Sequence, residues 1–250
     1  MMNPAALLAL PLWFSVAAVS GSDGLDCTRF NPEKGPINVG AADVSRKKEL
    51  LNRLIECIET RGVNVDGVYF KAKHSGNNNN SLRTGLMLAI ELCLNDLARE
   101  FLHLHAGVNV ANHESNTAAL LAAQKNSKNV NAIQILLGLG ADINWKNVDG
   151  ITLLMSAAYH GLEKLLRYLI SNGASVNLQD KNGKTALHKA SDHGRTSSVL
   201  ALLDAGANPN LQDNHGWTPL MEAADSGHSE IVVELLKQGA NKHIKLADGA

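Results

Sequence analysis

Two histidines and a carboxylate lie close together in the segment 180–194, DKNGKTALHKASDHG. His188, Asp192 and His193 fall within six residues, and such side chains serve as metal ligands and as general acids or bases. His188 and Asp192 are four residues apart, so on one helix they would share a face. The segment can form a metal site or a catalytic site only if the surrounding elements bring these side chains close together.

A spacing of 33 residues governs the second half of the chain. Each unit predicts a turn, a short helix capped by threonine, a glycine break and a second helix that ends at Gly-Ala. Helices this short become stable by stacking on the next unit. The recurring columns are Gly150, Gly183, Gly216 and Gly249; Thr152, Thr185 and Thr218; Leu154, Leu187 and Leu220; Ala157, Ala190 and Ala223; Gly161, Gly194 and Gly227.

The segment 216–241, GWTPLMEAADSGHSEIVVELLKQGAN, is similar to the ankyrin repeat. The segments 150–175 and 183–208 resemble the same pattern closely, while TGLMLAI at 84–90 and TAALLAA at 117–123 are degenerate versions of its first helix. The resemblance implies an all-α fold, an ankyrin-repeat solenoid of stacked helix-turn-helix units with β-hairpin fingers. We expect about five repeats, the last three clear and the first two degenerate.

We interpret the chain as one solenoid that is preceded by a processed N-terminus. We expect a signal peptide over 1–20, an extended lead-in over 21–43, an N-terminal capping helix or half-repeat over 44–66, an inserted flexible loop over 67–81, degenerate repeats over 82–112 and 113–146, clear repeats over 147–179, 180–212 and 213–245, and a truncated repeat start over 246–250. The asparagine run in the loop contains Asn79-Asn80-Ser81, which makes Asn79 a candidate glycosylation site.

The first twenty residues predict export from the cytosol. The uncharged apolar run from Ala5 to Val19 is short for a membrane span and suits the core of a secretory signal. Small residues before Gly21 fit a cleavage site, although no Lys or Arg precedes the run. We therefore expect a secreted, periplasmic or lumenal protein with no stable membrane insertion after cleavage. The alternatives are a cytoplasmic protein and a membrane-anchored one.

The three cysteines, Cys27, Cys57 and Cys93, leave at least one thiol unpaired within a monomer. Cys57 and Cys93 stand in apolar helical patterns, which predicts burial. Cys27 could pair with either of them. The sequence leaves the disulfide state open.

Composition and motifs argue against several functional classes. The formal charge is -1 and only 4% of residues are aromatic, which disfavours nucleic-acid binding. Phosphate-binding, dinucleotide and hydrolase signatures are absent from the sequence, so we expect neither an enzyme nor a cofactor. His188 stands where the ankyrin pattern TPLH has a structural histidine, so no metal site is expected. A metal- or small-ligand-binding protein that uses its histidines is kept as an alternative.

The resemblance also implies a surface for a protein partner, formed by the finger tips and the exposed side of the first helices. On it, Tyr159 and Trp217 are expected to be the strongest contacts, because aromatic residues dominate interface energetics. We expect a monomeric interaction protein; an intracellular ankyrin scaffold or regulator is the alternative. The candidate partner-binding residues are Val148, Ile151, Lys181, Asn182, Lys184, Asn214, His215 and Trp217 on the fingers, and Tyr159, His160, Asp192, His193, Asp225 and Ser226 on the helices.

Overall fold

The repeating columns mark where helices begin and end in the computed structural model of the chain. The structure describes residue 30 and residues 37–38, 44–67, 70–74, 77–124 and 130–246. The helices are α1 (Val44–Arg61), α2 (Gly85–Glu91), α3 (Asn95–His103), α4 (Ala118–Gln124), α5 (Val130–Gly138), α6 (Leu153–His160), α7 (Glu163–Ser171), α8 (Ala186–Asp192), α9 (Thr196–Asp204), α10 (Pro219–Asp225) and α11 (Ser229–Lys237); the strands are β1 (Ile37–Asn38), β2 (Phe70–His74) and β3 (Asn77–Arg83).

Helices α2 to α11 form five consecutive pairs, each made of a first and a second helix. The first helices α2, α4, α6, α8 and α10 pack on one another in sequence order, and each also packs on its own second helix. Buried alanines such as Ala157, Ala190 and Ala223 line the first helices, so neighbouring pairs can approach closely. The predicted all-α repeat solenoid is confirmed.

Threonine caps fix the start of every first helix. The Thr152 hydroxyl accepts a hydrogen bond from the Met155 N–H at 3.3 Å, which satisfies one of the free amides at the helix N-terminus. Thr185 and Thr218 do the same 33 and 66 residues later. The two degenerate segments keep this cap at Thr84 and Thr117.

A ladder of asparagines in the loops after the second helices joins each pair to the next. The Asn177 side chain accepts from the Asn208 N–H at 2.9 Å and donates to the Gly206 carbonyl. Asn109 and Asn210 bridge in the same way, and Asn144 accepts from the next pair. The first rung is Asp66, which follows α1 and accepts from the Gly107 N–H at 3.0 Å, so α1 is connected like a second helix.

The expectation of a flexible loop over 67–81 is wrong. Most of this segment belongs to a three-stranded sheet, in which β2 pairs antiparallel with β3 and parallel with β1. Backbone pairing can order a polar run whatever its side chains, because each backbone N–H and carbonyl finds a partner in the sheet. Asn79 lies in β3, but its side chain is outside the described part of the structure. Residues 1–29 and 125–129 are also outside it.

Among the residues that the structure describes, three other than glycine adopt the left-handed conformation: Cys93, His105 and Ser115, with φ between 55° and 60°. All three stand where the later pairs place glycine at helix ends and finger turns. Cys93 is exposed with a free thiol, so the expectation that it is buried is wrong. A residue that ends a first helix in this conformation points away from the core, which the apolar sequence around it did not indicate.

We expect His105→Gly to raise stability. His105 has φ 60° and is exposed, where the later pairs carry Gly140, Gly173 and Gly206. Removing the strain of a left-handed side chain should raise the unfolding free energy by about 1 kcal/mol. The control is His103→Gly at the helical end of α3, which should lower it by a similar amount. Urea denaturation measures both, and a loss of stability in both variants would contradict the assignment.

Candidate protein-binding surface

Three aromatic rings meet where α6 and α8 end. The Tyr159 ring lies 4.0 Å from the His193 ring and 4.8 Å from the His160 ring, measured between centroids. Tyr159 is nevertheless 41% exposed. The structure thus brings together three of the residues expected to contact a partner, two from one repeat and one from the next.

The part of the surface next to these three rings is polar. The Ser226 hydroxyl donates to the Asp192 carboxylate at 3.1 Å, which joins the ends of α8 and α10. The His193 Nδ1–H donates to the Lys189 carbonyl and lies 3.4 Å from Asp192. Asp225 is exposed beside Ser226. The helix ends therefore present one continuous row from His160 to Ser226, which we call the helix-end row: Tyr159, His160, Asp192, His193, Asp225 and Ser226.

Two residues that the sequence analysis missed hold this row in place. The Arg195 Nε–H donates to the Tyr159 carbonyl at 3.1 Å, and the His228 Nε2–H donates to the Asp192 carbonyl at 3.1 Å. Each satisfies a free carbonyl at the end of the preceding first helix. The sequence contains a pattern that could have indicated both residues, because each follows a recurring glycine and the two are 33 residues apart.

The electrostatics of the row keep His160 neutral. Burial lowers the pKa of His160, and the positive charges of Arg195 and His193 lower it further, against a hydrogen bond with the Gln124 backbone that raises it. The lowered pKa favours the neutral form of the His160 imidazole beside Tyr159 at pH 7. His160 therefore adds no charge that a partner would have to pair.

The finger tips form the second part of the surface and are linked to one another through their backbones. The Val148 N–H donates to Glu114, Lys181 to Asp149, and Asn214 to Asn182, at 2.8–3.0 Å. Within each finger a buried Asn147, Asp180 or Asp213 side chain accepts two backbone N–H groups. The tips are thus held in register before any partner arrives.

The finger residues differ in how free they are to bind. Val148, Lys181, Asn182, Asn214 and His215 are exposed, although the Asn214 amide already donates to the Lys181 carbonyl.

The other three finger candidates are partly buried. Ile151 and Trp217 are half-buried. The Lys184 ammonium pairs with the Glu222 carboxylate on α10; burial lowers the pKa of Lys184 but this carboxylate outweighs it, so the net shift is upward. Lys184 thus connects a finger to the next pair.

His188 belongs to the scaffold and not to this surface. Its side chain is fully buried, its Nδ1 accepts from the Thr185 N–H at 3.2 Å, and its Nε2–H donates to the Trp217 carbonyl at 3.1 Å. His193 lies at the helix end on the exposed row, so the two histidines do not share a site. Over the described ranges no group of three or more His, Cys, Asp or Glu side chains is placed to hold a metal ion.

The comparison with known families agrees with this architecture. A family model described as ankyrin repeats matches the chain in three copies, over residues 86–180, 122–213 and 154–245. The chain belongs to the ankyrin-repeat family. No curated protein matches the sequence. As ankyrin repeats, these helix pairs form a protein–protein interaction module, and the family is typically non-enzymatic. In the part of the chain that the structure describes, no helix has the length and apolarity to cross a membrane.

Proposed function

We propose that this ankyrin-repeat protein binds a protein partner through the helix-end row and the finger tips of its last three helix pairs. The observation that carries the proposal is Tyr159, a large ring that is 41% exposed yet held between two imidazoles. An aromatic side chain that is already ordered loses little conformational entropy on association. Such residues supply most of the energy of protein interfaces.

The polar groups around Tyr159 indicate what the contact would contain. Asp192 and Asp225 follow one another along the row at corresponding positions of adjacent pairs, while Lys181 is exposed on the neighbouring finger. A partner segment would place an apolar or aromatic side chain against Tyr159 and pair its polar groups with these charges. Hydrogen bonds between neighbouring pairs hold the fingers and the helix ends in place. A partner can therefore contact the fingers and the helix-end row together without rearranging them.

We expect Tyr159→Ala to weaken partner binding by about 10- to 100-fold, because truncating a central aromatic contact typically costs about 2 kcal/mol or more. The partner is first captured from the native compartment with the wild-type chain, and its affinity for purified variants is then measured by calorimetry. Trp217→Ala should add a smaller loss, because its side chain is already half-buried.

The control is Tyr168→Ala on the second helix α7, where the ring is also partly exposed but lies off the proposed surface. It should leave the affinity unchanged. If Tyr159→Ala binds as tightly as wild type while Tyr168→Ala does not, the partner uses the second helices and the proposal is wrong.

We further propose that the protein works outside the cytosol, with residues 1–20 removed as a signal peptide. The support from the structure is Cys57, which is disulfide-bonded, since disulfides persist mainly in exported proteins. N-terminal sequencing of protein purified from its native host should begin at Gly21. A chain that still begins at Met1 would exclude cleavage and favour the anchored or cytoplasmic alternative.

We also propose that all five helix pairs are ankyrin repeats and that α1 is the second helix of a half-repeat. The threonine caps at Thr84 and Thr117 and the ladder position of Asp66 support this count. Deleting one whole pair, 82–112 or 113–146, should leave the last three pairs folded, because repeats contact only their neighbours. Circular dichroism with urea denaturation tests this.

A further inference from the structure

Helix α9 differs from the second helices on either side of it at one position of the core. Ser198 of α9 stands where α7 has Leu165 and α11 has Ile231, and all three side chains are buried. As a result α7 buries three leucines, whereas the large apolar side chains that α9 buries are Val199 and Leu202. Each buried apolar side chain stabilises a helix on its neighbours, so α9 is held less firmly than α7.

The hydroxyl group at this position is buried without a partner. The Ser198 side chain is in a residue that is 1% exposed, and no group in the described part of the chain makes a hydrogen bond with its hydroxyl. The same holds for the hydroxyl of Ser191, which is fully buried on α8, the first helix of the same pair. Alanine occupies the corresponding position of the neighbouring first helices, at Ala158 and Ala224. Both serines lose their hydrogen bonds to water on folding, so they favour a state in which water reaches them.

Hydrogen bonds attach α9 to its neighbours at its two ends. Before the helix, the Arg195 side chain donates to the Tyr159 carbonyl at 3.1 Å. At its start, the Thr196 hydroxyl donates to a carboxylate of α11 at 3.2 Å. After the helix, the Asn208 N–H donates to the Asn177 side chain at 2.9 Å. The middle of α9 can therefore lose its packing on α8 while both ends stay attached.

We propose that α9 opens locally: it separates transiently from α8 while the helix pairs on either side remain folded. In the open state both serine hydroxyls are hydrated, and α9 uncovers less apolar surface than α7 would. Because α8 carries Asp192 and His193 at its end, this opening gives one half of the helix-end row a freedom that Tyr159 and His160 lack. The opening is a property of the free chain and goes beyond partner binding.

Hydrogen exchange with mass spectrometry on the full chain tests this proposal without a partner. The protected amides of α9 should exchange faster than those of α7 by a factor on the order of 100, and also faster than those of α11. Fraying of the stack from its C-terminal end would give a different order, with exchange rates that rise from α7 through α9 to α11. That order, or an α9 that is protected as well as α7, would overturn the proposal.

Alanine variants test whether the two buried hydroxyls cause the opening. The double variant Ser191→Ala, Ser198→Ala should slow exchange in α9 by a factor on the order of 100 and leave α7 unchanged. Ser197→Ala is the matched control, because Ser197 lies on the same helix but is exposed. It should slow α9 only about twofold, through the higher helix propensity of alanine. If the double variant slows α9 no more than Ser197→Ala does, the assignment to the buried serines is wrong.

Discussion

Gly183→Ala is expected to lower the unfolding free energy by about 3 kcal/mol. Gly183 has φ +78°, which costs a side chain about 1–2 kcal/mol. An added Cβ would also lie 2.6 Å from the Asn214 Oδ1 atom and 2.7 Å from the Asn214 backbone nitrogen. The neighbouring finger must move to make room, which breaks the 2.9 Å hydrogen bond from the Asn214 N–H to the Asn182 carbonyl.

Gly206→Ala is the matched control, because Gly206 has φ +82° and no atom lies within 4 Å of an added Cβ. Gly206→Ala introduces the backbone strain without a steric contact, so it should lower the unfolding free energy by about 1–2 kcal/mol. Urea denaturation of both variants gives the difference, which measures the contact between fingers. Equal losses would show that the fingers are not packed as tightly as described, and the surface they form would lose its rigidity.

His188→Met is expected to lower the unfolding free energy by about 1 kcal/mol at pH 7.5. The change removes the hydrogen bond that His188 donates to the Trp217 carbonyl, and a lost bond of this kind typically costs about 0.5–1.5 kcal/mol. The carbonyl still accepts from the Asp213 N–H at 2.8 Å. Methionine is a suitable replacement for His188, because Met87 and Met155 occupy the same position in other pairs. Met87 even accepts from the Thr84 N–H through its sulfur at 3.5 Å.

The stability conferred by His188 should also depend on pH. Burial lowers the pKa of His188 below its ordinary value of 6.5, so between the two values the unfolded chain binds a proton that the folded chain does not. The contribution is therefore complete above pH 6.5 and is lost as the pH falls below it. The difference between wild type and His188→Met should be larger at pH 7.5 than at pH 5.5.

Met155→Leu serves as the control for both effects. It changes the same position in the preceding pair without altering a titratable group, and a swap of similar volume usually costs under about 1.5 kcal/mol. Its difference from wild type should not vary with pH. If the wild type and His188→Met lose stability in parallel as the pH falls, another group is responsible for the acid sensitivity.

Much of the solenoid could be predicted because one physical constraint recurs at a fixed spacing. A capping threonine and a left-handed glycine each permit few alternatives, so α6 to α11 follow from residues such as Thr185 and Gly194. The same logic separated His188, a scaffold residue, from His193, which the scaffold leaves free. Resemblance to the family then indicated which side of the helices faces a partner.

The other features of the fold and of the surface could not be predicted, because they depend on contacts between segments that are distant in the sequence. The pairing of β2 with β3 is made by backbone groups, so the asparagine run was misread as a loop. Arg195 and His228 donate to carbonyls of the preceding pair, and Trp217 is half-buried although it lies on a finger. Cys93 was misplaced because apolar neighbours predict burial, whereas its left-handed backbone turns it outward.

Hydrogen exchange on the complex between the chain and its captured partner tests the proposed surface most directly. Compared with the free chain, the complex should slow exchange at the finger tips 147–151, 180–184 and 213–217 and at the helix ends 158–161, 191–194 and 224–227. The second helices α7, α9 and α11 should be unaffected. Slowed exchange confined to those second helices, with the fingers unchanged, would contradict the account.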